Sequence, residues 1–346
     1  MTTSAPLTVP TAAAARPQPS PGVRRITGLQ PTGRLHLGNL LGAIRPTVAA
    51  QYRTETIVFL ADLHALTVAH QPNEVRANTL AQATTLLAAG LDPDRTTFYV
   101  QSQVPQHTEL HYLLECTAGY GEAHRMIQFR EKSATQQNVR LSLLSYPVLM
   151  AADILLHDVH EVPVGADQGQ HLELTRTVAQ RFNTRYGDTF VVPRAVHPAV
   201  SARVMDLADP TRKMGKSAES DAGVVLLLDP PEVVRRKVMR AVTDPGRTVD
   251  YDPQARPGLA NLLDILAAAV GGDPAVLAAD YRSYAQLKAA VAEAVDGLLR
   301  PVRLRHTELA RDPGYVRRVL AEGADRARES AADTVYRARR AIGLLT

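Results

Sequence analysis

Three groups of residues in this chain have the types and spacing to do chemistry. The first is a glycine-rich stretch, Gly28-Leu29-Gln30-Pro31-Thr32-Gly33-Arg34-Leu35-His36-Leu37-Gly38-Asn39. Glycine lets backbone approach a ligand closely, and a helix that starts after such a turn offers unpaired amides and a positive dipole end to an anion. His36 and Asn39 are three apart, so on a first helical turn both side chains can face the same anion. The stretch is neither a Walker loop nor a GxGxxG turn. The second group is Lys213-Met214-Gly215-Lys216-Ser217. Two ammonium groups three apart on a glycine-containing loop can close round a pyrophosphate as mobile point charges. The third is Tyr146, Met150, Asp153 and His157, a spacing that a helix opened by Pro147 puts on one face. Each has a plainer reading: a capped turn, a solvated basic loop, and a helix whose Asp caps a neighbour or pairs with an Arg. His157, His160 and Glu161 sit at a helix-to-strand junction, which does not give ligand geometry, so no metal site is read there.

The elements that must position these groups alternate. Residues 24–29, 56–60, 97–101, 161–164 and 202–205 are short apolar runs rich in Val, Ile, Phe and Tyr, and read as strands. Helical patterns lie between them, at about 37–52, 72–89 and 167–182. Strand–helix alternation with near-continuous apolar strands implies a doubly wound parallel sheet, whose ligands bind beyond the carboxyl ends of the strands. From about residue 230 the strand signals fade. Residues 232–242, 259–270, 274–281, 287–299, 304–310 and 312–345 have helical periodicity, which makes the second half an all-helical domain.

At 346 residues the chain has room for two domains. It divides into a Pro/Ala-rich disordered tail (1–22), an α/β domain (23–210), and a basic loop with the helical domain (211–346). A 45% apolar, 21% charged composition is ordinary for a globular protein. A single cysteine, Cys116, excludes a disulfide framework, a Cys-rich zinc site and a protein-bound iron–sulfur cluster, and fits a cytoplasmic protein. No apolar run approaches the ~18 residues that cross a bilayer, and the start lacks signal-peptide character. Residues 1–210 carry 17 basic and 17 acidic side chains, whereas 211–346 carry 22 and 18. The whole positive excess therefore sits in the second half, either as scatter or as a surface facing a polyanion. The chain has no Trp, and only 5 Lys against 34 Arg.

His36-Leu37-Gly38-Asn39 and the Lys213 to Ser217 pentapeptide together resemble the paired motifs of class I aminoacyl-tRNA synthetases. The stretch 28–44, Ala61-Asp62-Leu63-His64-Ala65, and residues 146–155, 162–171 and 257–265 are similar to the tryptophanyl-tRNA synthetases of bacterial type, in order and at family-like spacing from about 24 to 343. The resemblance implies a Rossmann-like catalytic domain followed by a helical anticodon-binding domain. It implies ATP-dependent activation of L-tryptophan and transfer to tRNA(Trp), with Mg2+ carried by the ATP. By matched position, Gln30, Pro31, Thr32, Gly38 and Asn39 would hold ATP, and Gly165, Ala166, Asp167 and Val204 its ribose and adenine. His36, Asn39, Lys132, Lys213 and Lys216 would stabilise charge on the phosphates, with Met214, Gly215 and Ser217 completing the loop that follows the pyrophosphate. Gly28, Tyr146, Met150, Asp153 and Gln168 would hold tryptophan. An aromatic ring and a thioether make a slot for a flat ring, and a buried indole N–H needs an acceptor, here Asp153.

The family is a homodimer, for which residues 106–116 are a candidate part of the interface. Arg235, Arg236, Lys237, Arg240, Arg317, Arg318, Arg337, Arg339 and Arg340 are candidates for tRNA phosphates, about half of them expected to pair with neighbours such as Glu232, Glu322 or Asp333 instead. Three departures stand out. Gly215 replaces the usual Ser, which loosens the loop, while Leu40 and Ile26 stand where aromatic residues are usual, Ile26 near the indole pocket. The rival readings are a tyrosyl-tRNA synthetase, a divergent second copy or non-charging paralogue, and a small-molecule adenylyltransferase, which would not explain the helical half.

Overall fold

The computed structural model describes residues 22–134, 138–165, 168–196, 203–215 and 221–346. Its centre is a five-stranded, all-parallel sheet in the order β3-β2-β1-β4-β5. The strands are β1 (Arg24–Leu29), β2 (Glu55–Leu60), β3 (Thr96–Val100), β4 (Glu161–Pro163) and β5 (Arg194–Val196). β1 runs in register with β2 along its whole length, from Arg24 opposite Glu55 to Leu29 opposite Leu60. The chain steps outward from β1 to β3, then returns to lay β4 on the other side of β1. The gap between the carboxyl ends of β1 and β4 is the topological switch point, where this class of sheet leaves a crevice.

Four strands lie where the apolar runs place them. The fifth does not: β5 is Arg194–Val196, and Val204 and Met205 form an extended segment that makes one antiparallel bridge, Met205 to Lys213. Three residues behind Pro193 with a leading Arg carry no alternation to read.

The first helical stretch is broken. α1 (Leu37–Asn39) passes into a π-helical turn, Leu40–Ile44, before α2 (Arg45–Ala50). Such turns are rare and tend to sit at functional sites. α3 (Asp62–Ala65) and α4 (Pro72–Ala88) follow β2, and α5 (Gln106–Glu115), α6 (Tyr120–His124), α7 (Ile127–Ala134) and α8 (Leu141–Leu155) follow β3. α8 opens at Leu141 rather than at Pro147, which lies inside the helix. Its run from Tyr146 to Leu155 is buried except at Met150, and that packing carries the helix through the lost N–H of the proline. α9 (Gly169–Tyr186) leads to β5.

The second half is helical, with α10 (Pro231–Met239), α11 (Pro257–Val270), α12 (Pro274–Ala278), α13 (Tyr284–Leu309) and α14 (Pro313–Ala341). α13 runs through Pro301 as one helix where the pattern suggests two, because buried Val295, Leu299 and Val302 hold both halves on the same core.

Alternate residues of the central strands feed two cores. Val58, Leu60 and Phe98 face one with α4, α11 and α13, while Ile57, Phe59 and Tyr99 face the other with α5, α8, α9 and α14. The last helix thus packs on the sheet, with Ala324, Ala327, Ala331 and Ala338 fully buried against it.

Candidate active site

A cavity of about 570 Å3 opens at the switch point, within the usual range for small-molecule sites. β1 supplies Ile26, Gly28 and, just past its end, Gln30. β2 and the turn after it supply Phe59, Ala61 and His64, α8 supplies Tyr146, Met150 and Ile154, and β4 with its exit supplies Val162, Val164 and Gln168. Of the residues singled out by sequence, Gly28, Gln30, Asn39, Tyr146, Met150 and Gln168 meet on this wall. Gly28 has to be glycine, because a β-carbon there would stand 2.5 Å from the tip of the Phe59 ring.

The glycine-rich loop closes on itself. The backbone N–H of His36 donates to Asn39 Oδ1 at 3.1 Å, fixing the first helical turn. His36 is buried rather than turned into the cavity, so it and Asn39 do not both present side chains there. Its ring lies against Gly38, where a β-carbon would meet Nδ1 at 3.1 Å and the Val204 side chain at 3.7 Å. Leu35 and Leu37 pair by backbone with Leu227 and Val225, so the second half buttresses the loop from behind. Pro31 is buried, Thr32 half-buried and Gly165 exposed.

The basic loop is anchored. Met214 donates its backbone N–H to the Val204 carbonyl and buries its side chain in the core, while Lys213 is exposed. The Lys132 side chain and residues Ala166, Asp167, Lys216 and Ser217 lie outside the described residues.

The α8 face divides. Tyr146, Met150 and Ile154 line the cavity. The Tyr146 hydroxyl lies 2.9 Å from His171 Nε2 and donates to Gln128 Oε1 at 3.1 Å. Burial pushes its pKa up to about 12, so it stays a phenol.

Asp153 and His157 are not among the residues that line the cavity, and His157 lies beyond the end of the helix. Asp153 is 2% exposed, directly behind the wall. Its Oδ1 accepts from Gln101 Nε2 at 2.6 Å and His107 Nδ1 at 2.7 Å, and its Oδ2 accepts from His64 Nε2 at 2.8 Å. Burial alone would raise this carboxyl's pKa, but the bonds from His107 and His64 outweigh it and hold the group well below the carboxylate range. A carboxylate has about four lone-pair positions, so a fourth donor can still be met at Oδ2.

Composition and spacing did not single out His64, Gln101, His107 or Tyr99 for a role. A usable signal existed for His64: it follows directly on the carboxyl end of a central strand, where chemistry belongs. Lys237 is corrected. Instead of facing phosphates, it is buried, with Nζ 2.8 Å from Asp229 Oδ2 and 2.7 Å from the Val224 carbonyl. Arg337 pairs with Asp158, Arg318 with Asp312 and Arg339 with Glu109, while Arg340 lies over the Tyr336 ring. These partners differ from the expected Glu232, Glu322 and Asp333.

Residues 20–300 match the family profile described as tRNA synthetases class I (W and Y). The chain is 59% identical over 327 residues to tryptophan--tRNA ligase 1 of Streptomyces coelicolor, covering 93% of this chain and 97% of that protein. It is 46% identical over 331 residues to the tryptophan--tRNA ligase of Mycobacterium leprae, covering 93% and 96%. Among solved structures, tryptophanyl-tRNA synthetase from Mycoplasma pneumoniae superposes with a TM-score of 0.87 at 36% identity, covering 93% of this chain and 98% of that one. The Campylobacter jejuni enzyme complexed with ADP and tryptophan does so with 0.78 at 30% identity, covering 93% and 100%. With its catalytic-type loops, switch-point cavity and helical second half all inside these matches, the chain belongs to the class I tRNA synthetases of the W and Y family, as a bacterial-type tryptophanyl-tRNA synthetase.

Proposed function

We infer that this chain is a tryptophan--tRNA ligase: it activates L-tryptophan with ATP and transfers it to tRNA(Trp) in protein synthesis. The observation that carries this is a cavity at the switch point walled by an aromatic ring, a thioether and apolar side chains, with an ionised Asp153 behind it, in a chain 59% identical to a tryptophan--tRNA ligase. In the first step the tryptophan carboxylate attacks the α-phosphate of ATP, giving tryptophanyl-adenylate and releasing pyrophosphate. In the second, a ribose hydroxyl of the terminal tRNA adenosine attacks the activated carbonyl and releases AMP. Neither step needs a covalent enzyme intermediate, so catalysis is positioning plus charge stabilisation.

In this reading the ring of tryptophan lies against Tyr146, Met150 and Gly28, Gln168 meets its polar end, and the indole N–H reaches Asp153 Oδ2. Gln30, Pro31, Thr32, Gly38 and Asn39 hold the triphosphate end of ATP, with His36 fixing that loop from within. Gly165, Ala166, Asp167 and Val204 hold the nucleoside. Lys132, Lys213 and Lys216 follow the phosphates, and Met214, Gly215 and Ser217 shape the loop that carries two of them. In the same reading Mg2+ arrives on the triphosphate of ATP, the usual way this ion is bound.

For tRNA, exposed Arg235, Arg236, Arg240 and Arg317 are the phosphate contacts best supported, since no ion pair among the described residues engages them. A homodimer is supported by large apolar side chains left exposed on successive helices: Tyr112 on α5, Tyr120 on α6, Ile127 on α7 and Leu141 on α8. No described helix is long and apolar enough to cross a membrane. We assign the protein to the cytoplasm because its tRNA substrate works there.

ATP–pyrophosphate exchange tests the function. Exchange dependent on tryptophan and indifferent to tyrosine, together with charging of tRNA(Trp), is the expected result. Exchange with tyrosine, or none with either amino acid, would overturn the reading.

A further inference from the structure

Behind the cavity wall a line of hydrogen bonds crosses the interior from Asp153 to the last helix. His107 Nδ1 lies 2.7 Å from Asp153 Oδ1, and His107 Nε2 lies 2.9 Å from the Tyr99 hydroxyl. That hydroxyl lies 2.9 Å from His157 Nε2, and His157 Nδ1 lies 3.3 Å from Ser330 Oγ on α14. Tyr99, His107 and His157 are all fully buried.

Proton counting fixes the end of the line at Asp153. Burial, helped by the negative charge of Asp153, raises the Tyr99 pKa, so its oxygen keeps one proton. That proton can face only one of the two imidazoles, and the hydroxyl must accept from the other. An ionised Asp153 cannot donate, so His107 donates from Nδ1. The Tyr99 hydroxyl thus bridges the two imidazoles, donating to one and accepting from the other, and holds His107 with Nδ1 toward Asp153.

We propose that Tyr99 and His107 are positioning residues for amino-acid selection: His107, held in place by Tyr99, saturates Oδ1 of Asp153 together with Gln101, leaving Oδ2, the oxygen shared with the wall residue His64, as the one acceptor for a ring N–H. This rests on the reading that Asp153 receives the indole N–H. A site built around such an acceptor rejects a ring that lacks the donor, and it does so only while the acceptor is held in place and ionised. Ser330 extends the device to α14, tying the second half of the chain to the amino-acid pocket.

The test compares tryptophan with benzothienylalanine, which has sulfur in place of the ring N–H, in ATP–pyrophosphate exchange with the full chain. Tyr99→Phe and His107→Leu are expected to lower the preference for tryptophan by about tenfold, the worth of a hydrogen bond in a charged network. The loss should fall on KM for tryptophan, with kcat and both constants for the analogue held within about twofold. His107→Asn, whose amide can donate where Nδ1–H did, should recover most of the preference.

Tyr99→Phe deletes a single oxygen and keeps the test open should His107→Leu fail to fold. An equal loss with both amino acids would mean a merely structural role and overturn the proposal, as would an unchanged preference. Asp153→Asn separates the two layers. If it erases the preference while Tyr99→Phe and His107→Leu keep it, the proposal fails and the reading of Asp153 stands. If Asp153→Asn itself keeps the preference, the reading fails and the proposal with it.

Discussion

Helix α14 crosses strand β3 so closely that a β-carbon on Gly323 would stand 1.8 Å from the carbonyl oxygen of Phe98. Only glycine lets the two backbones meet at that distance, and Arg326 donates to the carbonyls of Pro93 and Thr96 beside the crossing. The second half of the chain is thereby fixed to the edge of the catalytic sheet. Gly323→Ala would gain about 1 kcal/mol of helix propensity but force the helix off the sheet. The net expectation is destabilisation by about 1–3 kcal/mol, the usual cost of overpacking, read from the urea midpoint. A more stable variant would contradict the crossing.

Lys237 and Asp229 form a nearly buried ion pair, and Asp229 Oδ2 also accepts the backbone N–H of Leu226 at 2.9 Å. That turn carries the strand-like segment which pairs with the phosphate-type loop at His36. Removing one partner of such a pair strands the other in a poorly solvated place. Asp229→Ala should cost about 3–5 kcal/mol and raise KM for ATP through the loosened loop. Lys237→Met should cost less, because Asp229 keeps the Leu226 N–H. Denaturation of the two variants side by side, with KM for ATP as the second readout, checks the asymmetry.

His157 gives a pH dependence with a definite sign. Burial, followed by the positive charges of His107 and Arg24, holds its pKa well below the ordinary imidazole value, although Asp153 pulls the other way. The folded chain therefore leaves His157 neutral in a range where the unfolded chain protonates it. Below about pH 6.5 the unfolded state binds the extra proton, so stability falls on acidification by up to about 1.4 kcal/mol per pH unit from this one group. Above that pH the contribution is fully present. His157→Phe should be less stable at pH 8, having lost its bonds to Tyr99 and Ser330, yet its stability should fall more shallowly between pH 6.5 and 5. An unchanged slope would show that His157 does not hold back a proton. His306, whose pKa burial also lowers, supplies part of the slope that remains.

The parallel sheet and its loops were legible because apolar strands and a glycine-rich junction are local signals, and the residues that line the cavity follow from where strands end. What was not legible depends on contacts between distant segments. His64, Gln101 and His107 converge on Asp153 from 89, 52 and 46 residues away, and no spacing rule pairs them. Lys237 was misassigned for a different reason: its buried partner Asp229 is only eight residues away, but it lies before a proline-led helix start, where helical spacing does not pair the two. The α8 face divided because helical period says which residues share a side but not which neighbour waits there. The scarcity of lysine gains meaning from this. Of five, Lys237 and Lys288 serve structure, Lys288 donating to the Ala241 carbonyl, which leaves Lys132, Lys213 and Lys216 as the ones proposed for phosphate.

Two departures from the family pattern lead to opposite expectations. At Gly215 a β-carbon would meet nothing closer than the Lys213 carbonyl oxygen at 3.6 Å, an ordinary contact, so Gly215→Ser should fold normally. By stiffening the loop it should speed activation, because glycine there costs conformational entropy on closure. Ile26 is different, because it is 2% exposed and forms part of the cavity wall beside Gly28 and Phe59. A branched aliphatic chain in place of a flat ring leaves room at the edge of the ring slot. Fluorotryptophan competed against tryptophan in exchange should therefore be accepted within about threefold, since small apolar differences in such pockets are worth little. Ile26→Phe, by filling that room, should raise the discrimination to about tenfold or more, or exclude both rings if the wall cannot give. A strong preference for tryptophan in the unaltered protein would mean that the slot is already tight, and that Phe59 and Tyr146 set its width without help from position 26.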